Sequence, residues 1–289
     1  MTKTVIYHSA DYDGIFCREI AKRFLGMKGV NYIGWNFGDA KIPMPLGEDV
    51  FILDLSPDCM ENPALDPNGV IWIDHHKSSI EKYAGYHING YRIDGVAACR
   101  LAWQWFAFKS NITNMPGLPV KESFVDRSVN EPLAVRLAGE YDIWDKRDPR
   151  TDIFQYGLRV ENDGAIQTML KDDNRIESTL ERGSAAQAYA QKVDADLVTH
   201  RSYRMDWEGL NFIVLNTGRF NSLTFAALDK PETGHDALLG YMFNGKCWMV
   251  SLYHAKHRTD IDLSLIAVKH GGGGHRGACG FTTDKLPFL

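Results

Sequence analysis

Across the first half of the chain, short runs rich in Val, Ile and aromatic residues alternate with helical patterns. The runs are Thr4–Tyr7, Asn31–Trp35, Asp49–Leu53 and Val70–Ile73, and between the first two Ile15, Phe16, Ile20, Phe24 and Leu25 fall at helical spacing. Strands separated by helices are joined by crossovers rather than hairpins, so this alternation predicts βαβ units and a largely parallel sheet. Val50–Leu53 and Val70–Ile73 are apolar throughout, as strands covered on both faces should be. Helical patterns follow at Gly95–Phe108, Glu131–Asp145 and Gly164–Lys171, and Asn111–Pro119, with two prolines, reads as a surface loop.

A polar, Ala- and Gln-rich helix is predicted from about Ser184 to Arg204, suited to connecting two domains. Strand patterns resume at Phe212–Asn216, Ala237–Phe243 and Cys247–Tyr253, with Asn244-Gly245 as a hairpin signal between the last two. A helix over Asp262–Lys269 then precedes the glycine run Gly271–Gly274. The expected architecture is α/β: a parallel-sheet domain over 1–183, a helical connector over 184–204, and a smaller mixed α/β domain over 205–289. Two domains suit 289 residues.

Charge and composition narrow the class. Acidic residues outnumber basic ones by 37 to 32, a formal charge of −5, which is a poor footprint for coating long nucleic acid. It leaves room for a small anionic substrate held in one local site. No apolar run approaches the ~20 residues that span a bilayer, and the first residues go directly into a strand pattern. Cys17, Cys59, Cys99, Cys247 and Cys279 stand singly, without Cys-x-x-Cys spacing, which fits a reducing compartment. The expected location is cytoplasmic, with no membrane partner.

Three of the predicted strands run straight into acidic or histidine-bearing segments. His8, Asp11 and Asp13 follow the first strand, Asp54 follows Val50–Leu53, and Asp74-His75-His76 follows Val70–Ile73. In an open parallel sheet the carboxyl ends of the strands form the ligand-binding edge. A single aspartate there is ordinarily a helix N-cap. Several aspartates and histidines together repel or compete unless a cation neutralises them, and mixed His and Asp donors suit manganese, with magnesium, cobalt or zinc also accommodated. Glu140, Asp142 and Asp145 on the Glu131–Asp145 pattern offer a further carboxylate, and spacing alone does not choose between them. Near the C-terminus, Gly271–Gly274 with His275 and Arg276 reads as a backbone nest with cationic contacts for phosphate.

Together these motifs resemble the DHH phosphoesterase superfamily over nearly the whole chain. Its Asp-His-His triplet stands here as Asp74-His75-His76, and the Gly-Gly-Gly-His of the DHH-associated domain as Gly272–His275. The chain looks more like the short oligoribonucleases and nanoRNases, phage-type members included, than the larger RecJ-type exonucleases. The resemblance implies two divalent ions, manganese foremost: His8, Asp11 and Asp54 on one, and Asp13, Asp54, His75 and Asp142 on the other, with Asp54 bridging. It also implies His76 and His275 at the reacting phosphate, Gly272, Gly273, Gly274 and Arg276 as further substrate contacts, and Asp74 orienting its neighbours. The implied activity is two-metal hydrolysis of phosphodiester bonds in short oligonucleotides or dinucleotides. The alternatives are a phosphatase or phosphodiesterase for pAp-like or cyclic-dinucleotide-derived species, and a regulator that binds nucleotides without catalysis. A homodimer is left open. Where the family often reads Ser-Leu-Arg, this chain has Ser251-Leu252-Tyr253, with His254, Lys256 or Arg258 as replacement cations.

Overall fold

The computed structural model describes residues 3–36, 39–43, 46–47, 49–61, 66–108, 120–162 and 164–288. The loop expected at 111–119 lies outside them. The chain divides into two compact units, 1–187 and 188–289.

In the first unit, β1 (Lys3–His8), β2 (Val30–Trp35), β3 (Asp49–Leu53) and β4 (Val70–Ile73) form a parallel sheet in the order β2–β1–β3–β4. Alternation within each strand sends side chains to two cores. Val5, Tyr7, Phe51, Leu53 and Ile73 face one apolar cluster, while Ile6, Val50, Ile52, Val70 and Trp72 face the other. The helices of this unit are α1 (Tyr12–Leu25), α2 (Lys77–Lys82), α3 (Ala98–Phe108), α4 (Lys121–Val125), α5 (Leu133–Asp142), α6 (Arg150–Leu158), α7 (Ala165–Met169) and the start of α8 (Ile176–Arg201). The first cluster is filled by α1, α3, α5 and α6 through Phe16, Ile20, Cys99, Ala102, Val135, Ala138 and Phe154. Behind it lies a charged layer. Arg100, 2% exposed, pairs with Glu131, and the fully buried Glu140 accepts from Arg127 and Arg136. Gly139 makes this possible, since a Cβ there would lie 2.7 Å from the Arg100 side chain.

Several helix boundaries differ from the sequence expectation. The helix predicted to run to residue 145 stops at Asp142, and Trp144 turns into left-handed backbone at φ 63°. The connector helix starts eight residues before the expected 184, at Ile176, and ends at Arg201, because Ile176 and Leu180 are needed to cover the first core. Here α6 and α8 pack backbone on backbone. A Cβ on Gly183 would meet the Ile153 carbonyl oxygen at 2.1 Å, and one on Gly157 the Thr179 carbonyl at 2.3 Å.

In the second unit, β5 (Tyr203–Trp207), β6 (Leu210–Asn216), β7 (Ala237–Phe243), β8 (Trp248–His254), β9 (Gly273–His275) and β10 (Ala278–Thr283) form a mixed sheet in the order β5–β6–β7–β8–β10–β9, with α9 (Ser264–Lys269) packed on it. Only β6 and β7 pair in parallel among these neighbours. Strand β5, not expected from sequence and beginning in the last two residues of the expected connector, pairs with β6 across the positive-φ pair Glu208-Gly209, a turn that matches strand twist. The Asn244-Gly245 turn is four residues wide rather than two, with Phe243 opposite Trp248 and the Asn244 side chain accepting from the Lys246 and Cys247 amides. No helix among the described residues is long and apolar enough to cross a membrane.

The backbone contact between α6 and α8 gives a test. Replacing Gly183 with Ala adds about 1 kcal/mol of helix propensity but forces overpacking that costs about 1–3 kcal/mol or more. Because the obstacle is a carbonyl rather than a flexible side chain, packing decides. Gly183→Ala is expected to lower the melting temperature by a few degrees in a thermal scan; a rise would show that the helices part freely.

Candidate metal centre

The order β2–β1–β3–β4 sends the chain out from β1 in one direction to β2 and in the other to β3, leaving a crevice at their carboxyl ends. His8 is the last residue of β1, Asp54 follows β3 and Asp74-His75-His76 follows β4. Asp11 caps α1, its Oδ1 accepting from the Gly14 amide at 3.1 Å. The start of α1 presses on the end of β1 so closely that a Gly14 Cβ would lie 1.9 Å from the His8 carbonyl oxygen; only glycine fits. Asp13, in the first helical turn and buried, accepts from the Ala98 and Cys99 amides at 2.8 Å each. One carboxylate thereby anchors the N-terminus of α3 while standing in the crevice.

These side chains form three overlapping groups with ligand atoms within 4.8 Å of one another: His8, Asp11 and Asp54; Asp54, His75 and His76; and Asp13, His75 and Asp142. His75 Nε2 lies 3.6 Å from Asp13, 3.5 Å from Asp54 and 3.3 Å from Asp142. His8 Nδ1 is 2.9 Å from Asp11 and 3.5 Å from Asp54. Asp54 therefore belongs to two of the groups. It is 1% exposed and neither of its carboxylate oxygens accepts a hydrogen bond, and its backbone is left-handed at φ 64°, a strained conformation for a side-chain-bearing residue. A buried, unbonded carboxylate is costly unless a cation meets it.

The electrostatics follow. Burial, reinforced by Asp13, pushes the Asp54 and Asp142 carboxyls well above the ordinary carboxylate range. Burial by itself would lower the His8 pKa, but Asp11 and Asp54 outweigh it and hold the imidazole up at about 10. Asp11 moves the other way: burial opposes its charge, and His8 overcomes this to lower its pKa. The proton held on His8 supplies part of the positive charge that the carboxylates lack. Asp74, fully buried, accepts from the His75 and His76 amides and holds the His76 Nδ1 at 2.7 Å. The His76 pKa, which burial alone would lower, is raised by that contact.

Of the three acidic residues near the end of α5, the structure brings only Asp142 to this crevice. Glu140 is held in the buried pair with Arg127 and Arg136. Asp145 was expected on the Asp142 face of a continuing helix, but it lies past the helix end and pairs with Arg147. Residue 144 was not foreseen as part of the site. Tyr141, Asp142, Trp144, Asp11, Asp13 and Gln155 line a cavity of about 120 Å³. The Trp144 and Asp145 amides return to the Tyr141 and Glu140 carbonyls, a helix-ending geometry normally reserved for glycine at position 144. A tryptophan, 54% exposed, occupies it instead. Lys146 sits 4.1 Å from its ring centre and 3.9 Å from that of Tyr141.

In the second unit, the end of the glycine run forms one strand of an edge hairpin. Gly273, Gly274 and His275 pair with Gly280, Cys279 and Ala278. Close packing explains several glycines: a Cβ on Gly272 would meet the Gly280 carbonyl at 2.1 Å, and one on Gly274 the Cys279 Cα at 2.7 Å. Gly273 has open space, and Gly273, Gly274, His275 and Arg276 are exposed. The Arg276 guanidinium donates to the Asp260 and Ile261 carbonyls. Of the cations considered in place of the family arginine, Arg258 is engaged by Asp236 and Asp260, and His254 contacts the Ile261 carbonyl.

No family model matches the sequence, and a search of curated proteins found no match. Solved structures do match. The pGpG-specific phosphodiesterase PggH from Vibrio cholrae aligns at 12% identity and TM-score 0.52, over 98% of this chain and 94% of that one. A DHH domain from a member of the s1p family of ribosomal proteins aligns at 13% identity and TM-score 0.55, covering 98% and 83%. RecJ from Thermus thermophilus in complex with Mn2+ aligns at 16% identity and TM-score 0.51, covering 99% of this chain and 50% of RecJ. The chain shares the α/β fold of these solved structures.

The protonated crevice predicts how a divalent ion binds. Asp54 and Asp142 hold protons more tightly folded than unfolded, so their contribution favours the metal-free fold at low pH and is lost as pH rises through their raised values. A divalent ion must displace these protons and the one on His8. Manganese titration calorimetry in buffers of different ionisation enthalpy is expected to show proton release at pH 7 and tighter binding as pH rises. At an ion concentration of 100 times Kd the fold gains about 2.7 kcal/mol, read as a rise of roughly 5–10 °C in melting temperature. Binding unaffected by pH would remove these groups from the ligand set.

Proposed function

We propose that the protein is a metal-dependent phosphoesterase that hydrolyses phosphodiester bonds in short oligonucleotides or dinucleotides. The observation that carries this reading is Asp54: a buried carboxylate, free of hydrogen bonds on both oxygens, shared between the His8–Asp11 group and the His75 group. Such a donor set would hold two divalent ions, His8, Asp11 and Asp54 serving one and Asp13, Asp54, His75 and Asp142 the other. Ions of this kind, when bound, acidify water and polarise phosphoryl oxygens. Manganese leads the candidates, in keeping with the mixed His and Asp donors.

The chain's own residues do the rest. Asp13 ties the ligand set to the N-terminus of α3, so its carboxylate cannot swing away when substrate arrives. Asp74 fixes the His76 ring through Nδ1 and favours its cationic form, which suits His76 to donate to an anionic phosphoryl oxygen. The strained, exposed Trp144 beside Asp142 provides a ring face for a nucleobase, and stacking on an aromatic ring tolerates any base. Strain retained at such a position is commonly tied to function. The roles of His275, Gly272, Gly273, Gly274 and Arg276 toward the substrate rest on the resemblance. A net charge of −5 offers few cations for a long phosphate backbone, which favours short substrates. The pGpG-specific phosphodiesterase, aligned over almost its whole length, supports the dinucleotide reading.

Four variants test it with bis-(p-nitrophenyl) phosphate and with RNA and DNA of two to thirty nucleotides. Asp54→Asn and Asp142→Asn are each expected to lower manganese-dependent turnover by at least about 100-fold, on the scale that loss of electrostatic stabilisation costs, whereas Asp145→Asn stays within a few-fold of wild type. Equal loss at Asp145 would misplace the ligand set. Trp144→Ala is expected to raise KM for dinucleotides by roughly 10-fold, from about 1–3 kcal/mol of stacking, while leaving the p-nitrophenyl substrate little changed. An equal effect on both would assign Trp144 to structure alone.

A further inference from the structure

Among the described residues, one other group of donors converges, in the second unit: Asp229, His235 and His257, with one ligand atom of each within 4.8 Å of the others. Asp229 lies in the segment before β7, His235 two residues before that strand, and His257 three residues after β8. Asp229 is 6% exposed and His235 1%. The two imidazole rings stand edge to face, 5.0 Å between centres.

Their protons can be placed from the hydrogen bonds. Thr233 Oγ1 lies 3.0 Å from the Leu228 carbonyl and 2.5 Å from the Lys230 carbonyl, so its single proton goes to one of these. It then faces His235 Nδ1, 2.7 Å away, as an acceptor, and Nδ1 carries the proton. In the neutral ring, His235 Nε2 is then a lone pair, 3.3 Å from Asp229 Oδ1. His257 Nε2 sits 2.9 Å from the His235 carbonyl oxygen, which can only accept, so that nitrogen carries the proton. His257 Nδ1 is left as a lone pair, buried and with no hydrogen-bond partner. One ring nitrogen of each histidine and an Asp229 carboxylate oxygen thus come within 4.8 Å of one another. The Lys256 amide, 3.1 Å from Asp229 Oδ1, is a donor to the carboxylate alone.

We propose that Asp229, His235 and His257 bind a divalent transition-metal ion, zinc by donor type, in a site separate from the sheet-edge crevice. Two neutral imidazoles and a carboxylate make a zinc set with one position left for water. Each imidazole donates its remaining N–H to a protein oxygen, the arrangement that orients metal-ligating histidines. The ion pins the segment after β8 to the start of β7. That segment also carries Asp260 and Ile261, whose carbonyls receive the Arg276 guanidinium, so the ion steadies the support of the glycine hairpin's turn.

The test counts ions on the full-length protein. Wild type and His257→Gln are stripped with chelator, equilibrated with excess zinc, desalted and analysed for zinc per chain. Glutamine keeps the amide donor toward the His235 carbonyl and removes the Nδ1 ligand. His257→Gln is expected to carry one zinc fewer than wild type, and one fewer again when both are compared in an Asp54→Asn background. This difference does not depend on how many ions the crevice holds, so it stands or falls apart from the proposed activity. A second variant, His257→Cys, is loaded with cobalt and is expected to gain a sulfur-to-cobalt charge-transfer band in the near ultraviolet. Equal zinc content in wild type and His257→Gln, or no new band in His257→Cys, would overturn the site.

Discussion

Everything at the sheet edge depends on one electrostatic fact: negative charge is gathered there without enough positive charge to balance it. Asp11, Asp13, Asp54 and Asp142 converge on His8 and His75, and Asp54 is buried with no hydrogen bond to either oxygen. Water is excluded from that carboxylate, so protons or cations must supply the compensation. The raised pKa values of His8, Asp54 and Asp142 express that demand in the absence of metal. The fold meets the cost of holding these groups with the two apolar cores on either side of the sheet.

The surroundings keep the cluster from relaxing. Asp13 is bonded to two amides of α3, and Asp74 to two amides and a ring of the following histidines. Asp142 is positioned by α5, whose own Glu140 is locked by Arg127 and Arg136. A buried ion-pair network is a weak source of stability, but losing one partner leaves an uncompensated charge, so the network resists rearrangement. Rigid placement is what a site for charged chemistry requires, because misplaced dipoles stabilise nothing.

The second unit follows the same accounting at another place. Asp229, His235 and His257 come within 4.8 Å of one another, and the segment after β8 also receives the Arg276 side chain from the turn of the glycine hairpin. The glycines of that hairpin are demanded first by packing, since Gly272 and Gly274 have backbone where a Cβ would go. Gly273 alone of the three is not constrained by a neighbour.

By itself the sequence determined the parallel sheet, the strand ends at which His8, Asp54 and Asp74-His75-His76 stand, and the presence of a second α/β unit. Those features are local: a run of apolar residues makes a strand, and the next residue is necessarily at its end. The choice among Glu140, Asp142 and Asp145 was not local. Spacing puts Asp142 and Asp145 on one face only if the helix continues, and whether it continues is decided by Trp144 taking a left-handed conformation that no propensity would assign to tryptophan. The start of α8 was hidden for a related reason, because its few apolar residues are needed only by a core that other helices build. The Asp229, His235 and His257 cluster is divided between the segment before β7 and the one after β8, which the pairing of β7 beside β8 brings within reach of one another.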